Sequence, residues 1–157
     1  MGSRERRARE KENRKEQILD AARKLLLKDG LAKTSVNRIA KKAELSVGSI
    51  YSYFTNKEEI FAVLQREGLE MLHADILSAT KNIGDPEENL KTCARVYLQF
   101  SEAHNDYFDV INYFLSSPRV FFSNGVKKSI DAEGAKILKT MEAIVCEGIR
   151  QNVFEEP

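Results

Sequence analysis

The spacing of apolar residues along the chain predicts helices from one end to the other. From Glu16 these residues recur at intervals of three and four, until Gly30 supplies a helix stop. The same spacing defines a second and a fourth helix further along the chain. The three apolar faces are Ile18, Ala22, Leu25 and Leu26; Val36, Ile39, Ala40 and Ala43; and Ile60, Val63 and Leu64. No β alternation of useful length appears, so the pattern predicts an all-α fold.

Polar residues mark where the predicted helices begin. Ser35 or Thr34 is the expected N-cap of the second helix, and Ser46 that of a short third helix after a break at Glu44. Asn56, with a glutamate three residues on, has the spacing of a capping box for a fourth helix that runs to about residue 80. Asp85, followed by proline, starts a fifth helix.

Three helices are predicted in the second half of the chain. The fifth carries an apolar face made of Leu90, Ala94, Tyr97 and Leu98. The sixth covers roughly 106–116 and precedes a break at Pro118. The last follows Asn124 and shows one long stripe, made of Ile130, Gly134, Ile137, Leu138, Met141, Ile144, Val145 and Gly148.

Charge is divided unevenly along a chain whose formal net charge is +1. Residues 1–57 hold 15 Lys and Arg against 7 Asp and Glu, a balance of +8, whereas residues 58–157 hold 10 against 17, a balance of −7. A basic front part predicts contact with a polyanion, and an acidic back part repels it. Chance clustering is the weaker alternative for so large a difference.

Several other classes of protein and site are disfavoured. No apolar run approaches the roughly 18 to 20 residues of a membrane span, and the charged N-terminus is unlike a secretory signal, so we expect a cytoplasmic protein. Cys93 and Cys146 lack metal-ligand spacing and are expected to be buried structural thiols. His73 and His104 have no third ligand in register. No catalytic motif appears, so we expect no enzyme, no metal and no cofactor.

The stretch SVGSIYSYF, residues 46–54, contains not one strong helix former, yet it lies between two good helices. At about 100° per residue, Ile50 and Phe54 point into the core of the unit, and Gly48 and Ser52 point outward. This small polar face, edged by Tyr51, fits the close approach of a helix to base edges in the major groove. Ordinary packing of the tyrosines and a tolerated surface glycine remain as alternatives.

Lys57 favours the first of these interpretations. A cation in the first turn of a helix opposes the helix dipole and costs a few tenths of a kcal/mol, whereas a phosphate bound there would reverse the sign. An indifferent surface lysine is the alternative. The second and third helices are therefore predicted to form a DNA-binding helix-turn-helix.

The segment TSVNRIAKKAELSVGSIYSYFTNKEEIF, residues 34–61, resembles the DNA-binding signature of the TetR family of transcriptional regulators, and the similarity extends back to about residue 14. The resemblance implies a homodimer that binds a palindromic operator and is released by a small molecule bound in its C-terminal domain. It also implies contacts to bases or backbone, at Thr34, Asn37, Val47, Gly48, Ser49, Tyr51, Ser52, Tyr53 and Lys57.

The chain departs from the family pattern at three positions. Glu44 stands where the family commonly has a turn glycine, and a left-handed glutamate costs about 1 kcal/mol there and brings an anion near DNA. Arg38 replaces a common acid, so we expect the capping box of Ser35 to be lost and basic charge to be gained. Val47 replaces a frequent lysine and is suited to pack on a thymine methyl.

Aromatic side chains cluster in the second half of the chain. Of the five tyrosines and eight phenylalanines, eight lie between residues 97 and 122, and these include Phe114, Phe121 and Phe122. They either fill the core or wall a pocket for an apolar or amphipathic ligand. The predicted pocket residues are Tyr97, Phe100, His104, Phe108, Asn112 and Tyr113.

The last helix is the expected site of self-association. Its stripe predicts a dimer interface at Ile137, Met141, Ile144, Val145 and Gly148. Members of the resembled family usually pair two C-terminal helices from each partner, whereas this chain ends soon after the first. Either the family's last helix is absent or the chain is truncated, and we expect truncation.

The sequence thus predicts three segments: a charged extension (1–15), a helix-turn-helix DNA-binding domain (16–56) and a helical ligand-binding and dimerisation domain (57–157). The expected function is a transcriptional regulator, a repressor that a small apolar or amphipathic ligand releases from DNA. The alternative is a helix-turn-helix activator or co-regulator that a protein partner controls.

Overall fold

The structure, a computed structural model, describes residues 2–116 and 124–155. In these residues the chain forms α1 (Ser3–Asp29), α2 (Val36–Lys42), α3 (Val47–Tyr51), α4 (Lys57–Thr80), α5 (Pro86–Ala103), α6 (Asn105–Ser116) and α7 (Asn124–Arg150), with a 3₁₀ turn at Leu31–Lys33. The described part contains no strand, so the predicted all-α fold is confirmed. Pro118, Phe121 and Phe122 lie outside the described residues.

Side-chain caps begin the helices where the sequence predicts them. Each cap side chain accepts a hydrogen bond from a backbone N–H in the first turn. The pairs are Ser35 with Arg38 N (3.4 Å), Ser46 with Ser49 N (3.0 Å), Asn56 with Glu59 N (2.9 Å) and Asp85 with Glu87 N (3.1 Å). Gly30 ends α1 with a φ of 75°, a conformation that favours glycine. Local chemistry therefore sets these five helix ends.

The chain divides into two compact units, residues 1–64 and 65–157. The first unit holds a core to which every one of its helices contributes, made of Ile18, Leu25, Leu26, Ile39, Ala40, Ile50, Phe54, Ile60 and Phe61. The cluster predicted around the third helix is buried as expected. The three-segment domain division, with its boundaries at residues 15 and 56, stays a prediction.

The second unit is built on α4 to α7, and its core corrects the predicted face of α5. The buried cluster consists of Leu69, Leu72, Ile76, Cys93, Val96, Phe100 and Ile111. The predicted face was wrong: Tyr97 and Leu98 are 45% and 61% exposed. Both stripes have helical spacing, and only the docking of neighbouring helices selects between them.

The two cysteines differ in environment, which corrects a second expectation. Cys93 lies in the core of the second unit, where burial raises the pKa of its thiol. Cys146 is exposed on α7 and is not the buried thiol that the sequence suggested. Apolar residues next to Cys146 lie on both the buried face and the exposed face of α7, as Ile144 and Val145 show. The sequence spacing alone therefore does not indicate on which face Cys146 lies.

Candidate nucleic-acid interface

The third helix is short and depends on its cap and its anchors. Of the stretch 46–54, only Val47–Tyr51 is α-helical. Ser46 Oγ accepts from Ser49 N and lies 2.8 Å from Ser49 Oγ. Ile50 is completely buried and Phe54 nearly so. Weak intrinsic propensity is thus overcome by one cap and two apolar side chains.

The outward side of α3 presents a small surface between two larger side chains. Gly48 and Ser52 are exposed, with Val47 (36% exposed) and Tyr51 (54% exposed) beside them. Ser52 Oγ donates to Gly48 O at 3.1 Å and keeps its lone pairs for an outside donor. Asn37 of α2 is also exposed. These side chains are accessible to a partner.

Gly48 has no internal structural reason to be glycine. Its φ is not positive, and a Cβ added there would lie 3.8 Å from Ser46 Oγ, an ordinary contact. The glycine is therefore not required by the turn or by packing in the described part of the chain. Its lack of a side chain matters only to something that approaches α3 from outside.

The start of α4 lies close behind α3 in sequence. Asn56 Oδ1 accepts from Glu59 N, and Glu59 Oε2 accepts from Thr55 N at 2.6 Å, so one asparagine and one glutamate side chain each accept from a backbone N–H at this helix end. Lys57 is the first residue of α4 and is half-buried, as is Tyr53. Lys57 and Tyr53 are therefore less accessible than Tyr51.

Thr34 is misplaced among the predicted DNA contacts. It is 1% exposed, and its hydroxyl donates to Gly30 O at 2.9 Å. The side chain thus closes the turn between α1 and α2 and does not reach the surface. The similarity to a family motif identifies a position but not the direction of its side chain. Thr34 is therefore not part of the exposed surface.

Arg38 also differs from the expectation. The cap of Ser35 is retained, and the guanidinium donates to Lys33 O at 2.7 Å and to Asp29 Oδ2 at 2.5 Å. The charge of Arg38 therefore binds α2 to the end of α1. It is not the additional basic charge that the sequence suggested.

The turn between α2 and α3 is strained and is held by a residue that sequence reasoning missed. Glu44 has a φ of 55°, the left-handed conformation that favours glycine. Just before it, Ala43 O accepts from Gln17 Nε2 of α1 at 2.8 Å, and Gln17 Oε1 accepts from Arg14. Leu45 N donates back to Ala40 O. No local pattern marks Gln17, because its partner lies 26 residues away.

The predicted ligand-pocket residues are only partly brought together in the second unit. Phe100 is buried, with the His104 ring centroid 5.1 Å from its own, and Tyr97 meets Phe108 edge-on at 5.4 Å. Asn112 and Tyr113 are half-buried on α6. Phe100 and His104 line a cavity of about 260 Å³. The pocket role of these six residues stays a prediction.

A larger cavity of about 640 Å³ lies at the end of α4, the start of α5 and the second half of α7. Its lining is mixed, made of Leu77, Thr80, Ile83, Gly84, Pro86, Asn89, Lys139, Thr140, Ala143, Ile144 and Glu147. Asn89 Nδ2 donates to Ile83 O, whereas Asn89 Oδ1 is buried with no hydrogen-bond partner. This described lining contains none of the six predicted residues, so the sequence did not indicate this site.

The apolar stripe of α7 separates into two faces. Ile130, Ile137 and Ile144, seven residues apart, pack against the core of the second unit. Leu138 (69% exposed), Met141 and Val145 point away from it. Gly148 is covered by the ring of Phe154, since an added Cβ would lie 2.0 Å from it. Gly148 therefore contacts its own chain and is not free for a partner helix, which corrects that part of the predicted interface.

Metal ligands and membrane-length helices are both absent from the part of the chain that the structure describes. No group of three His, Cys, Asp or Glu side chains there is placed to hold a metal ion. No helix there combines the length and apolarity needed to cross a membrane. His73 Nε2 lies 3.0 Å from Thr140 Oγ1, a contact between α4 and α7.

Comparison with known proteins identifies the first unit. Residues 18–64 match the family model of bacterial regulatory proteins of the tetR family. The regulator HbdR of Aromatoleum sp. (strain CIB) is 30% identical over 95 residues, which cover 60% of this chain and 42% of that protein. The repressor KstR2 of Mycobacterium tuberculosis is 32% identical over 114 residues, covering 68% and 56%. The chain thus spans only part of these relatives.

The similarity to solved structures extends over most of the chain. The crystal structure of the TetR-family regulator PfmR from Thermus thermophilus superposes with a TM-score of 0.68 at 27% identity, covering 89% of this chain and 74% of that one. This solved TetR-family structure shares the all-α architecture of the described residues, and the family model matches the part that contains the helix-turn-helix. The first unit of the chain therefore belongs to the tetR family of bacterial regulatory proteins.

Proposed function

We propose that this chain is a DNA-binding transcriptional repressor that binds a palindromic operator as a homodimer and is released by a small apolar or amphipathic ligand. The observation that carries the DNA-binding part is the exposed face of α3. It combines an unrequired glycine with a serine hydroxyl and a half-exposed phenol, on a front part of the chain with a charge balance of +8. Such a face fits base edges, and its rim fits phosphates.

The side chains of this face would divide the work of recognition. Gly48, Val47 and Ser52 are small enough for α3 to enter the major groove, with Val47 against a thymine methyl. Tyr51 and Tyr53 would donate to phosphate oxygens. Lys57, at the first turn of α4, would join the free N–H groups there in holding a phosphate. Asn37 and Ser49 complete the proposed surface.

The second unit supplies the proposed site of control. Its larger cavity, about 640 Å³, falls within the range of roughly 300–1,000 Å³ typical of small-molecule sites. Leu77, Ile83 and Ile144 make part of its wall apolar, and Lys139 and Asn89 supply polar groups. A ligand with an apolar body and a hydrogen-bonding end matches this lining better than a fully charged one.

The proposal of a homodimer rests on α7. Leu138, Met141 and Val145 are exposed apolar side chains at positions i, i+3 and i+7 of one helix. Two copies of such a face bury each other around a two-fold axis, and a palindromic operator has the same symmetry. Light scattering after size exclusion tests this directly. A strict monomer at micromolar concentration would contradict the dimer.

Selection of bound duplexes from a random pool tests the DNA-binding role. Tyr51→Phe removes one phosphate donor and should weaken binding to the selected duplex about three- to tenfold. Lys57→Ala should make the negative slope of log K against log salt less steep by about 0.9. Tyr97→Phe and Lys81→Ala remove the same groups from exposed positions of the second unit and serve as matched controls.

The outcomes distinguish the DNA-binding function of the protein from the assignment of Tyr51 and Lys57 as DNA contacts. Enrichment of no duplex, together with no binding at low salt, would refute the DNA-binding function. Enrichment of a duplex to which both first-unit variants bind like the unchanged protein would refute only the assignment of Tyr51 and Lys57. Equal losses in the control variants would lead to the same conclusion.

A further inference from the structure

The N-terminal half of α1 is a helix on which no other described part of the first unit packs. The helix begins at Ser3, but its first buried residue is Ile18, and residues 4–14 are all exposed. About 14 residues at 1.5 Å each give an overhang of about 20 Å. Short helices without tertiary packing are marginal in water, and a helix that is polar all round needs another explanation for its presence.

Cations of this overhang lie in register with the buried face of the same helix. Residues seven apart share a face of an α-helix to within about 20°. Arg4 and Lys11 therefore continue the line of Ile18 and Leu25, which are buried. In the same way, Arg7 and Arg14 lie in line with the buried Ala21, and Lys15 lies in line with the buried Ala22. The basic stripe is defined as Arg4, Arg7, Lys11, Arg14 and Lys15.

The buried face of α1 is the face that packs on the helix-turn-helix, so the basic stripe points to the same side. The end of the stripe is tied to the turn before α3. Arg14 donates to Gln17 at 2.9 Å, and Gln17 donates to Ala43 O at 2.8 Å. The stripe therefore starts beside the turn that leads into α3 and extends away from it along the helix.

The acidic residues of the overhang leave the basic stripe mostly unopposed. Glu5 and Glu12 lie in the line of Leu19 and Leu26, at the edge of the buried face away from Gln17. Glu10, which lies on the Gln17 side, contacts Arg6 at 3.9 Å. The acidic residues thus lie outside the basic stripe, on sides of the helix that they share with Arg6 and Arg9.

We propose that the basic stripe binds the phosphate backbone of the same DNA duplex that α3 enters, as a second contact outside the recognition helix. The proposal rests on the proposed DNA-binding function and adds to it the residues of α1. The partner is DNA and not a membrane, because an amphipathic membrane helix needs an apolar face and Ala8 is the sole apolar residue among residues 3–17. Evenly spaced cations on one helix face match a row of phosphates.

The test compares two double variants of the full chain that remove the same charge. R7Q/K11Q removes two members of the basic stripe, and R6Q/R9Q removes two arginines from the other sides of the overhang. The affinity of each protein is measured by fluorescence anisotropy between about 0.05 and 0.3 M salt. The probe is a mixed-sequence duplex of about 30 base pairs, since phosphate contacts need no operator.

The slope of log K against log salt is negative, and R7Q/K11Q should make it less steep by about 2, because each lost phosphate contact removes about 0.9. Relative to a reference of 1 M salt, this corresponds at about 0.1 M salt to a weakening on the order of 60-fold. R6Q/R9Q should change the slope by well under half as much. Circular dichroism of both variants checks that they retain the helix content of the unchanged protein.

The possible outcomes distinguish this proposal from the one on which it rests. If the unchanged protein does not bind this duplex even at about 0.05 M salt, the proposed role of the stripe fails, and the DNA-binding function fails with it only if selection from a random pool also enriches no duplex. If it binds and R7Q/K11Q binds equally well, or if both double variants lose the same affinity, the stripe has no specific role while the DNA-binding function stands. Stripe-dependent binding to anionic lipid vesicles without any to DNA would likewise overturn it.

Discussion

Glu44 is the position where conformation and charge make separate, measurable predictions. It lies in the turn before α3 with a φ of 55°. A side chain in the left-handed region costs roughly 1–2 kcal/mol, and glycine removes that cost. Glycine also makes the unfolded chain more flexible, which offsets about 0.4–1 kcal/mol of this gain in stability. We therefore expect Glu44→Gly to raise the free energy of unfolding by roughly 0.5–1 kcal/mol.

The charge of Glu44 should act on DNA binding in the same variant. A carboxylate at the turn repels phosphates near α3, and across solvent such a repulsion is worth about 0.4–1 kcal/mol. Removing it should tighten binding about two- to fivefold at low salt, and the gain should shrink as salt rises. Glu44→Gln is the matched control, because it loses the charge but keeps the strained backbone.

Urea denaturation and anisotropy titrations separate the two effects. Glu44→Gly should be more stable and bind more tightly, whereas Glu44→Gln should bind more tightly with the stability of the unchanged protein. A Glu44→Gly variant that is no more stable would refute the strain argument. Unchanged affinity in both variants would show that the turn lies away from the phosphates.

Two other predictions follow from single contacts. Gln17→Leu removes the donor to Ala43 O and should lower the free energy of unfolding by about 1 kcal/mol in urea denaturation, and an unchanged value would show that water replaces the amide. Ellman's reagent at about pH 8 should modify Cys146 at once and Cys93 only on unfolding, because burial both shields the Cys93 thiol and raises its pKa. Simultaneous reaction of both thiols would contradict the burial of Cys93.

Local chemistry alone determined much of the fold and the outline of the site. Ser46 and Asp85 cap their helices through N–H groups two or three residues away, so their roles are visible in the sequence. Ile50 faces the core because helical periodicity separates it from Gly48, and Phe54, just past the end of α3, is buried with it. Interactions within about four residues depend only on the helix itself, and a sequence specifies these directly.

Only the tertiary structure decided which of several equivalent faces is used. The α5 sequence carries two apolar stripes, and the docking of other helices buries the one with Val96 and Phe100. Arg38 finds Asp29 nine residues away, and Gln17 finds Ala43 O 26 residues away, because α1 packs across α2. Such contacts depend on how helices cross, and helix periodicity contains no information about that crossing.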